Sequence, residues 1–370
     1  MPAIVSGLRV FSPATVAEAL AFLAEHHGEG WRPLAGGTDV MMGLYRDRRG
    51  GERWLNVARL RPEWGRIAWE GDELRIGALA TMADLRESTA ARVAHPLIGE
   101  AASVVGAVQI QNRATVGGNI ANGSPAGDTL PVWLALDAEL ELTSLRGVRR
   151  VAYERFMTGY RQSVMEADEL LTAVVIQRPQ AGHHWYLFRK VAPRAAQGIS
   201  KVVFAATGLL AGPASSVDRN AIVDRNAVVD RNATVAFSAA VTVVTGGDSG
   251  AGGTFDTPSI VGAVNAVGAI GAVASGGSSE TIAVPANTVW RGVRLAWGSM
   301  GPVTKRSYVA ERRVEGATPS PELGSDAAAT LEEDLRPIDD VRSTAAYRIA
   351  VARNLAREFL ARNLGRSWRV

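Results

Sequence analysis

Residues 109–131 read QIQNRATVGGNIANGSPAGDTLP. Within them Ala114-Thr115-Val116-Gly117-Gly118-Asn119-Ile120 sets a glycine pair in an apolar turn, and Ala121-Asn122-Gly123-Ser124-Pro125-Ala126-Gly127-Asp128 follows with the composition of a loop. A shorter stretch upstream, Pro33-Leu34-Ala35-Gly36-Gly37-Thr38-Asp39-Val40, has the same form: a strand running into two glycines and then a helix. Paired glycines lack Cβ atoms, so successive backbone N–H groups can converge on an anion. The hydroxyls of Thr38, Thr115 and Ser124 add donors. Two such loops can grip a pyrophosphate from two sides, although one Gly-Gly pair alone is more simply a tight turn. Neither loop fits G-x-x-x-x-G-K-[ST], and no G-x-G-x-x-G lies between a strand and a helix. The ligand must therefore be held by a fold outside the P-loop and Rossmann classes.

Outward from these loops, the N-terminal half alternates helices and strands. Ala14–His26 has apolar residues at helical spacing (Val16, Ala19, Leu20, Leu23), with Ser12 as the expected cap and Pro13 in the first turn. Trp31–Ala35 reads as a short buried strand and Trp54–Val57 as another. Ile67–Glu70 and Leu74–Gly77 read as a hairpin turning at Gly71-Asp72. Pro96–Val104 is expected to be helical, and Leu134–Leu145 and Glu169–Gln177 to be strands. Pro179–Gly182 breaks the pattern, and Tyr186–Arg194 and Lys201–Leu210 start a new pair of strands. From Pro213 to Asn287 Gly, Ala, Ser, Thr and Val dominate, and the hexapeptide Val-Asp-Arg-Asn-Ala-X begins at Val217, Val223 and Val229. Three copies suit a duplicated loop better than a stacked β-helix, which needs several coils. Val293–Trp297 resumes as a strand. Asp326–Leu335 and Asp340–Asn363 read as helices, the second with Ala345, Ile349, Ala352, Leu355, Ala356 and Phe359 on one face and Arg342, Arg348, Arg353 and Arg362 largely off it.

Composition narrows the chemistry. At 370 residues the chain exceeds the roughly 250–300 at which single cores stop growing, so two or three domains are expected. There is no cysteine, hence no disulfide, thiolate nucleophile or iron–sulfur cluster on this chain. Redox chemistry would have to come from a bound organic cofactor. The formal net charge is only +3, with Arg and acidic residues interspersed, so no nucleic-acid footprint is expected. MPAIVSGLRVFSP lacks the character of a signal peptide and no apolar run is long enough to span a membrane, so a cytoplasmic protein is expected. His183-His184 is expected in a solvated loop, adjacent strand residues pointing to opposite faces in any case. Asp339-Asp340 and Glu332-Glu333-Asp334 read as a helix cap and a solvated face. Neither a catalytic triad nor a metal cluster is expected.

Three segments resemble the flavoprotein subunit of the molybdenum hydroxylases, the family of xanthine dehydrogenase and carbon monoxide dehydrogenase: AGGTDV at Ala35–Val40, QIQNRATVGGNIANGSPAGDTLP at Gln109–Pro131, and YLFRKVAPRAAQGISKV at Tyr186–Val202. WGSMGPVTKRSYVAERRVEG at Trp297–Gly316 is similar to its C-terminal domain. The resemblance implies an α+β chain: a two-subdomain FAD-binding fold of the PCMH type (1–60 and 61–179), then a small α/β C-terminal domain (183–212 and 288–368) carrying the Gly/Ala/Val-rich insertion 213–287. It places FAD on Pro33, Leu34, Ala35, Gly36, Gly37, Thr38, Asp39 and Val40 and on Thr115, Val116, Gly117, Gly118 and Asn119, with Ser124 beside them. Asp128 falls where the family bonds the cofactor's polar chain, Lys190 near the isoalloxazine ring, and Val105 and Leu170 at less secure contact positions. Thr38 stands where related folds that link FAD covalently use histidine, so non-covalent binding is implied.

By the same resemblance, the molybdenum cofactor and two [2Fe-2S] clusters belong to a large and a small partner subunit. Electrons would pass to FAD here and on to NAD⁺ or another acceptor. Two other readings stay open at this point: a free-standing FAD-dependent reductase or oxidase, and a non-enzymatic interaction module with a degenerate flavin site.

Overall fold

The computed structural model of the chain describes residues 7–47, 52–194, 197–212, 288–361 and 366–369. The hexapeptide repeats and the rest of 213–287 lie outside the described residues.

The N-terminal segment forms a three-stranded parallel sheet from β1 (Arg9–Phe11), β2 (Trp31–Leu34) and β3 (Arg53–Asn56), in the order β1-β3-β2. Helix α1 (Val16–His26) connects the first two strands and buries Ala19, Leu20 and Leu23 against Leu55, Val57, Leu60 and Trp64. Its cap is Thr15, not Ser12: the Thr15 hydroxyl accepts from the Glu18 N–H, and the Glu18 carboxylate accepts from the Ala14 N–H. This is the spacing of a capping box. Ser12 instead accepts from Asn56 Nδ2 at 3.2 Å and ties β1 to β3. β2 is an edge strand rather than a buried one, with Arg32 and Pro33 exposed. An edge is where proline's missing N–H removes no ladder bond. Helix α2 (Thr38–Asp47) follows the first glycine pair.

The second sheet is antiparallel and five-stranded. It comprises β4 (Ile67–Glu70), β5 (Glu73–Gly77), β6 (Glu139–Ser144), β7 (Gly147–Ala152) and β10 (Leu170–Gln177), in the order β4-β5-β10-β6-β7. β8 (Met157–Gly159) and β9 (Gln162–Ser163) pair separately. The hairpin at Gly71-Asp72 forms as expected. The strand expected over Leu134–Leu145 does not start until Glu139. Before it, Leu130–Ala135 is a helix, and Asp137 reverses the chain at φ 48°. All six residues of that helix are buried, so the run carries no polar face from which a period could be read. Helices α3 (Met82–Glu87), α4 (Pro96–Ser103), α5 (Val116–Asn122) and α6 (Leu130–Ala135) share one core with Leu74, Ile76, Leu140, Leu142 and Val174.

The third sheet, also antiparallel, contains β11 (His183–Val191), β12 (Val202–Ala211), β13 (Val289–Gly298), β14 (Lys305–Arg306) and β15 (Arg366–Arg369), in the order β14-β13-β12-β11-β15. Helices α7 (Tyr308–Val314), α8 (Pro321–Ala329) and α9 (Ala345–Leu360) pack Ala310, Ala327, Ala352 and Phe359 against Trp290, Phe204 and Trp297. Four expectations are corrected here. His183-His184 lies in β11 instead of a solvated loop, and His184 is buried with Nε2 2.6 Å from the Gln180 carbonyl. The helix expected over Asp326–Leu335 starts at Pro321 and is interrupted at Thr330, and α9 starts only at Ala345, capped by Thr344. Arg348 is buried, not off the apolar face: it donates to Ser299 O and, at 2.7 Å, to Asp340 Oδ1.

His95, at the start of α4, is buried, and burial lowers its pKa to about 4 despite a hydrogen bond with the Gln177 backbone. The unfolded chain therefore takes up a proton in the range where the native chain does not. The stability of the neutral form is fully present above about pH 6.5 and is lost as pH falls toward 4. We expect His95→Gln to flatten this acid limb in urea titrations run between pH 4 and 7. An unchanged slope would refute the assignment.

Candidate functional site

The two glycines of each pair play different parts. A Cβ on Gly36 would lie 1.9 Å from the Arg113 carbonyl oxygen, and one on Gly117 2.7 Å from the Ala78 Cβ. Gly36 and Gly117 are thus where two stretches of chain pass too closely for any side chain. The Gly117 N–H donates to Ala78 O at 2.8 Å, and the Val116 N–H to Ala80 O at 2.9 Å. The Thr115 hydroxyl, expected as a ligand donor, accepts from the Gly118 N–H at 3.1 Å and caps α5. Gly37 adopts φ +75°, and its carbonyl accepts from the Met41 N–H, closing the first turn of α2. The N–H groups of Thr38, Asp39 and Val40 stand in that turn, where a helix offers no acceptor of its own.

The contact at Gly36 sets the first loop against Arg113 and Ala114, immediately before Thr115, and Arg113 Nε donates to Gly36 O at 3.3 Å. Gly36, Gly37, Thr38 and Asn119 are half-buried and Gly118 is exposed, so the two loops present backbone along a common rim. Asn119 is held by Thr129, whose hydroxyl donates to Asn119 Oδ1 at 2.7 Å. Ser124 is half-buried in the turn after α5, where its carbonyl accepts from the Gly127 N–H.

Deeper in the fold, Lys190 of β11 donates to Asp128 Oδ2 at 2.6 Å and to the Val104 carbonyl at 2.9 Å. The Ser200 hydroxyl donates to Asp128 Oδ1 at 2.6 Å. The side chains of Lys190 and Asp128 are 8% and 10% exposed. Burial pushes the Asp128 carboxyl above its ordinary pKa, against the pull of Lys190 and Ser200. Val105 directly follows the carbonyl that anchors Lys190 and is half-buried. Leu170 stands apart: its side chain lies in the core with Leu79 and Trp64, against which Ala35 of the first loop also packs. Sequence reasoning missed Ser200 and Ser299. Ser200 lies in the short link between β11 and β12, and Ser299 N donates to Pro125 O at 2.8 Å from the far end of β13. Both residues lie inside segments that carry the family resemblance, but nothing in either segment singles out the serine as a partner of Asp128 or Pro125. The only available cue was a serine set between Gly298 and Gly301.

Two glycine turns brought together at Gly36 and Arg113, the first turn of α2 and a buried lysine paired with Asp128 suit a dinucleotide cofactor whose pyrophosphate is held by backbone. This defines a cofactor-binding protein outside the Rossmann and P-loop classes. Residues 6–179 match the FAD binding domain in molybdopterin dehydrogenase, and residues 263–363 match the CO dehydrogenase flavoprotein C-terminal domain. The chain belongs to this flavoprotein family. The second match begins within the segment read as an insertion, outside the described residues.

Among its relatives, the nicotinate dehydrogenase FAD-subunit of Eubacterium barkeri is 33% identical over 201 residues, which cover 52% of this chain and 65% of that protein. The xanthine dehydrogenase FAD-binding subunit of Escherichia coli O157:H7 is 35% identical over 193 residues, with the same two coverages. The carbon monoxide dehydrogenase medium chain of Afipia carboxidovorans is 34% identical over 179 residues, 48% of this chain and 61% of that one. The matches thus span less than two thirds of these relatives' own length. Carbon monoxide dehydrogenase from Hydrogenophaga pseudoflava superposes with a TM-score of 0.71 at 21% identity, over 95% of this chain and 96% of the other. Quinoline 2-oxidoreductase from Pseudomonas putida 86 gives 0.68 at 17% identity, over 95% of each chain. At these identities the likeness is one of fold. Among the described residues no helix is long and apolar enough to cross a membrane, and no group of three or more His, Asp or Glu could hold a metal ion.

Removing one member of a buried ion pair leaves the other charge uncompensated, at a cost of about 3–5 kcal/mol, whereas replacing both by apolar groups is often close to neutral. Asp128→Asn should therefore lower unfolding free energy by several kcal/mol in denaturant titrations. The double variant Asp128→Leu/Lys190→Met should recover most of that loss. Equal losses in both variants would show that the pair is not the source of the cost.

Proposed function

We propose that this chain is the FAD-carrying electron-transfer subunit of a molybdenum hydroxylase. In this reading it receives electrons from the [2Fe-2S] clusters of a small subunit, supplied in turn by a large molybdopterin subunit, and passes them to NAD⁺ or another acceptor in a cytoplasmic complex. The observation that carries the reading is the contact of Gly36 on the Arg113 carbonyl, which brings the two glycine loops together, with the buried Asp128–Lys190 pair formed from the turn that follows α5. Bound FAD would supply the redox chemistry, accepting and releasing the electrons.

The chain's own residues bind and orient. The amides of Thr38, Asp39 and Val40 meet the pyrophosphate at the positive end of α2. Pro33 to Gly37 and Thr115 to Asn119 bring backbone within reach of it, and Leu170 backs the first loop from the core. Lys190 places an ammonium near the flavin ring, with Val105 beside it. Two of its three N–H bonds are taken by Asp128 and Val104, which leaves one to donate outward. No side chain is required as a general base, which agrees with a site built from backbone and one ion pair.

The test is the visible flavin spectrum of the purified chain. A negative charge at position 38 sits well with the α2 dipole but opposes a pyrophosphate. Thr38→Asp should therefore weaken FAD binding at least about tenfold, roughly 1.4 kcal/mol, with no loss of melting temperature. A colourless wild-type chain that cannot be loaded with FAD would overturn the flavin reading. Full activity of the isolated chain, without iron or molybdenum, would overturn the subunit reading.

A further inference from the structure

Behind the Asp128–Lys190 pair runs a continuous line of buried polar contacts that FAD binding by itself does not require. Ser200 donates its hydroxyl to Asp128 at 2.6 Å, and its carbonyl accepts from the Ser299 hydroxyl at 3.1 Å. Ser299 is fixed at both backbone groups: its N–H donates to Pro125 O, and its carbonyl accepts from Arg348 Nη1. Arg348 Nη2 donates to Asp340 Oδ1, which also accepts from the N–H groups of Arg342 and Ser343. Ser200, Ser299 and Arg348 are each less than a tenth exposed.

Two features argue against incidental packing. Ser299 sits at φ 61°, in the left-handed region that non-glycine residues seldom adopt, and such conformations persist where surrounding contacts over-determine them. Arg348 lies on the side of α9 that also buries Ile349, Ala352 and Leu355, where a guanidinium is costly unless it is hydrogen-bonded; its Nη1 and Nη2 find Ser299 and Asp340, while its Nε has no partner among the described residues. Both features converge on the carbonyl of one residue, Ser299, whose hydroxyl in turn holds Ser200. We infer that Arg348 and Ser299 are positioning residues that, through Ser200, hold the Asp128 carboxylate against Lys190 and so set the charge presented to the bound cofactor.

The clause about the cofactor rests on the proposed flavin site; the positioning of Asp128 does not. Among the described residues the charged group set against Asp128 is Lys190 from β11, and Ser200 from the β11–β12 link is its other polar partner. Withdrawing the Ser200 hydroxyl, or letting it drift, removes a hydrogen bond that favours the ionised carboxylate.

The composition makes this measurable, because the whole chain has only three lysines, Lys190, Lys201 and Lys305. In full-length protein labelled with ¹³C at lysine Cε, the Lys190 signal is assigned by its loss in Lys190→Met, and its acid-range pH response reports protonation of Asp128. Ser200→Ala should raise that midpoint by about one pH unit, a tenfold gain in proton affinity. Ser299→Gly and Arg348→Met should raise it in the same direction by a smaller amount, and Arg348→Lys should restore it toward the wild-type value. Glycine takes a positive φ freely, so Ser299→Gly carries the test if Arg348→Met does not fold.

Melting temperatures that fall while the midpoint stays fixed in both Ser299→Gly and Arg348→Met would overturn the proposal, leaving these residues a structural role only. The titration is read on the chain before and after loading with FAD. Shifted midpoints in a chain that takes up no FAD would uphold the positioning role and sink the flavin reading. FAD uptake without any shift would do the reverse.

Discussion

The carbonyl oxygen of Arg113 occupies the space that a side chain at position 36 would need. That contact joins two parts of the chain that are unrelated in local structure: a loop at the end of a parallel three-stranded sheet, and the turn leading into a helix of an antiparallel one. Gly117 repeats the constraint one layer further in, with Ala78 as its neighbour, and so anchors the second loop to the link between β5 and α3. Backbone passing this close cannot slide, because almost any shift brings carbonyl oxygens into contact. The rim carrying Gly37, Thr38, Gly118 and Asn119 inherits its shape from these two fixed points.

The motifs were legible in the sequence because glycine pairs can be read without knowing the fold. The division of labour within each pair was not legible, because the neighbours that forbid a side chain at Gly36 and Gly117 are 77 and 39 positions away in the chain. The capping of α5 by the Thr115 hydroxyl, which accepts from the Gly118 N–H and keeps its own O–H to donate, was not legible either. The strand reading from Leu134 overlaps the last two residues of helix α6, Leu134 and Ala135, because all six residues of that helix are buried and no polar face shows a period. Arg348 was misplaced because an arginine near the apolar stripe of a helix reads as solvated unless the receiving carbonyl, here on a residue 49 positions earlier, is known.

The buried Asp128–Lys190 ion pair illustrates a tension in burying charge. Burial favours a neutral Asp128, as its raised pKa records, while Lys190 and Ser200 favour the carboxylate. A buried ion pair is weak evidence for stability, since apolar replacements often do as well. The clearer consequence of the pair is what it holds in place. Lys190, anchored on one side by Asp128 and on another by Val104, keeps its ammonium in a narrow set of positions that a free lysine on a four-carbon stem would not keep.

The placement of that lysine bears on where the functional unit ends. The FAD binding domain match stops at residue 179, and Asp128 falls inside it, but Lys190 and Ser200 lie beyond it on the third sheet. Pro125 is likewise held by Ser299, at the end of β13. A chain cut after residue 179 would keep both glycine loops yet leave the Asp128 carboxylate without its ammonium, its serine donor or the contact that pins its loop. The third sheet is therefore not a separate appendage. It supplies the only cation set against Asp128 among the described residues, so the Asp128–Lys190 pair forms only when the two parts of the chain fold against each other.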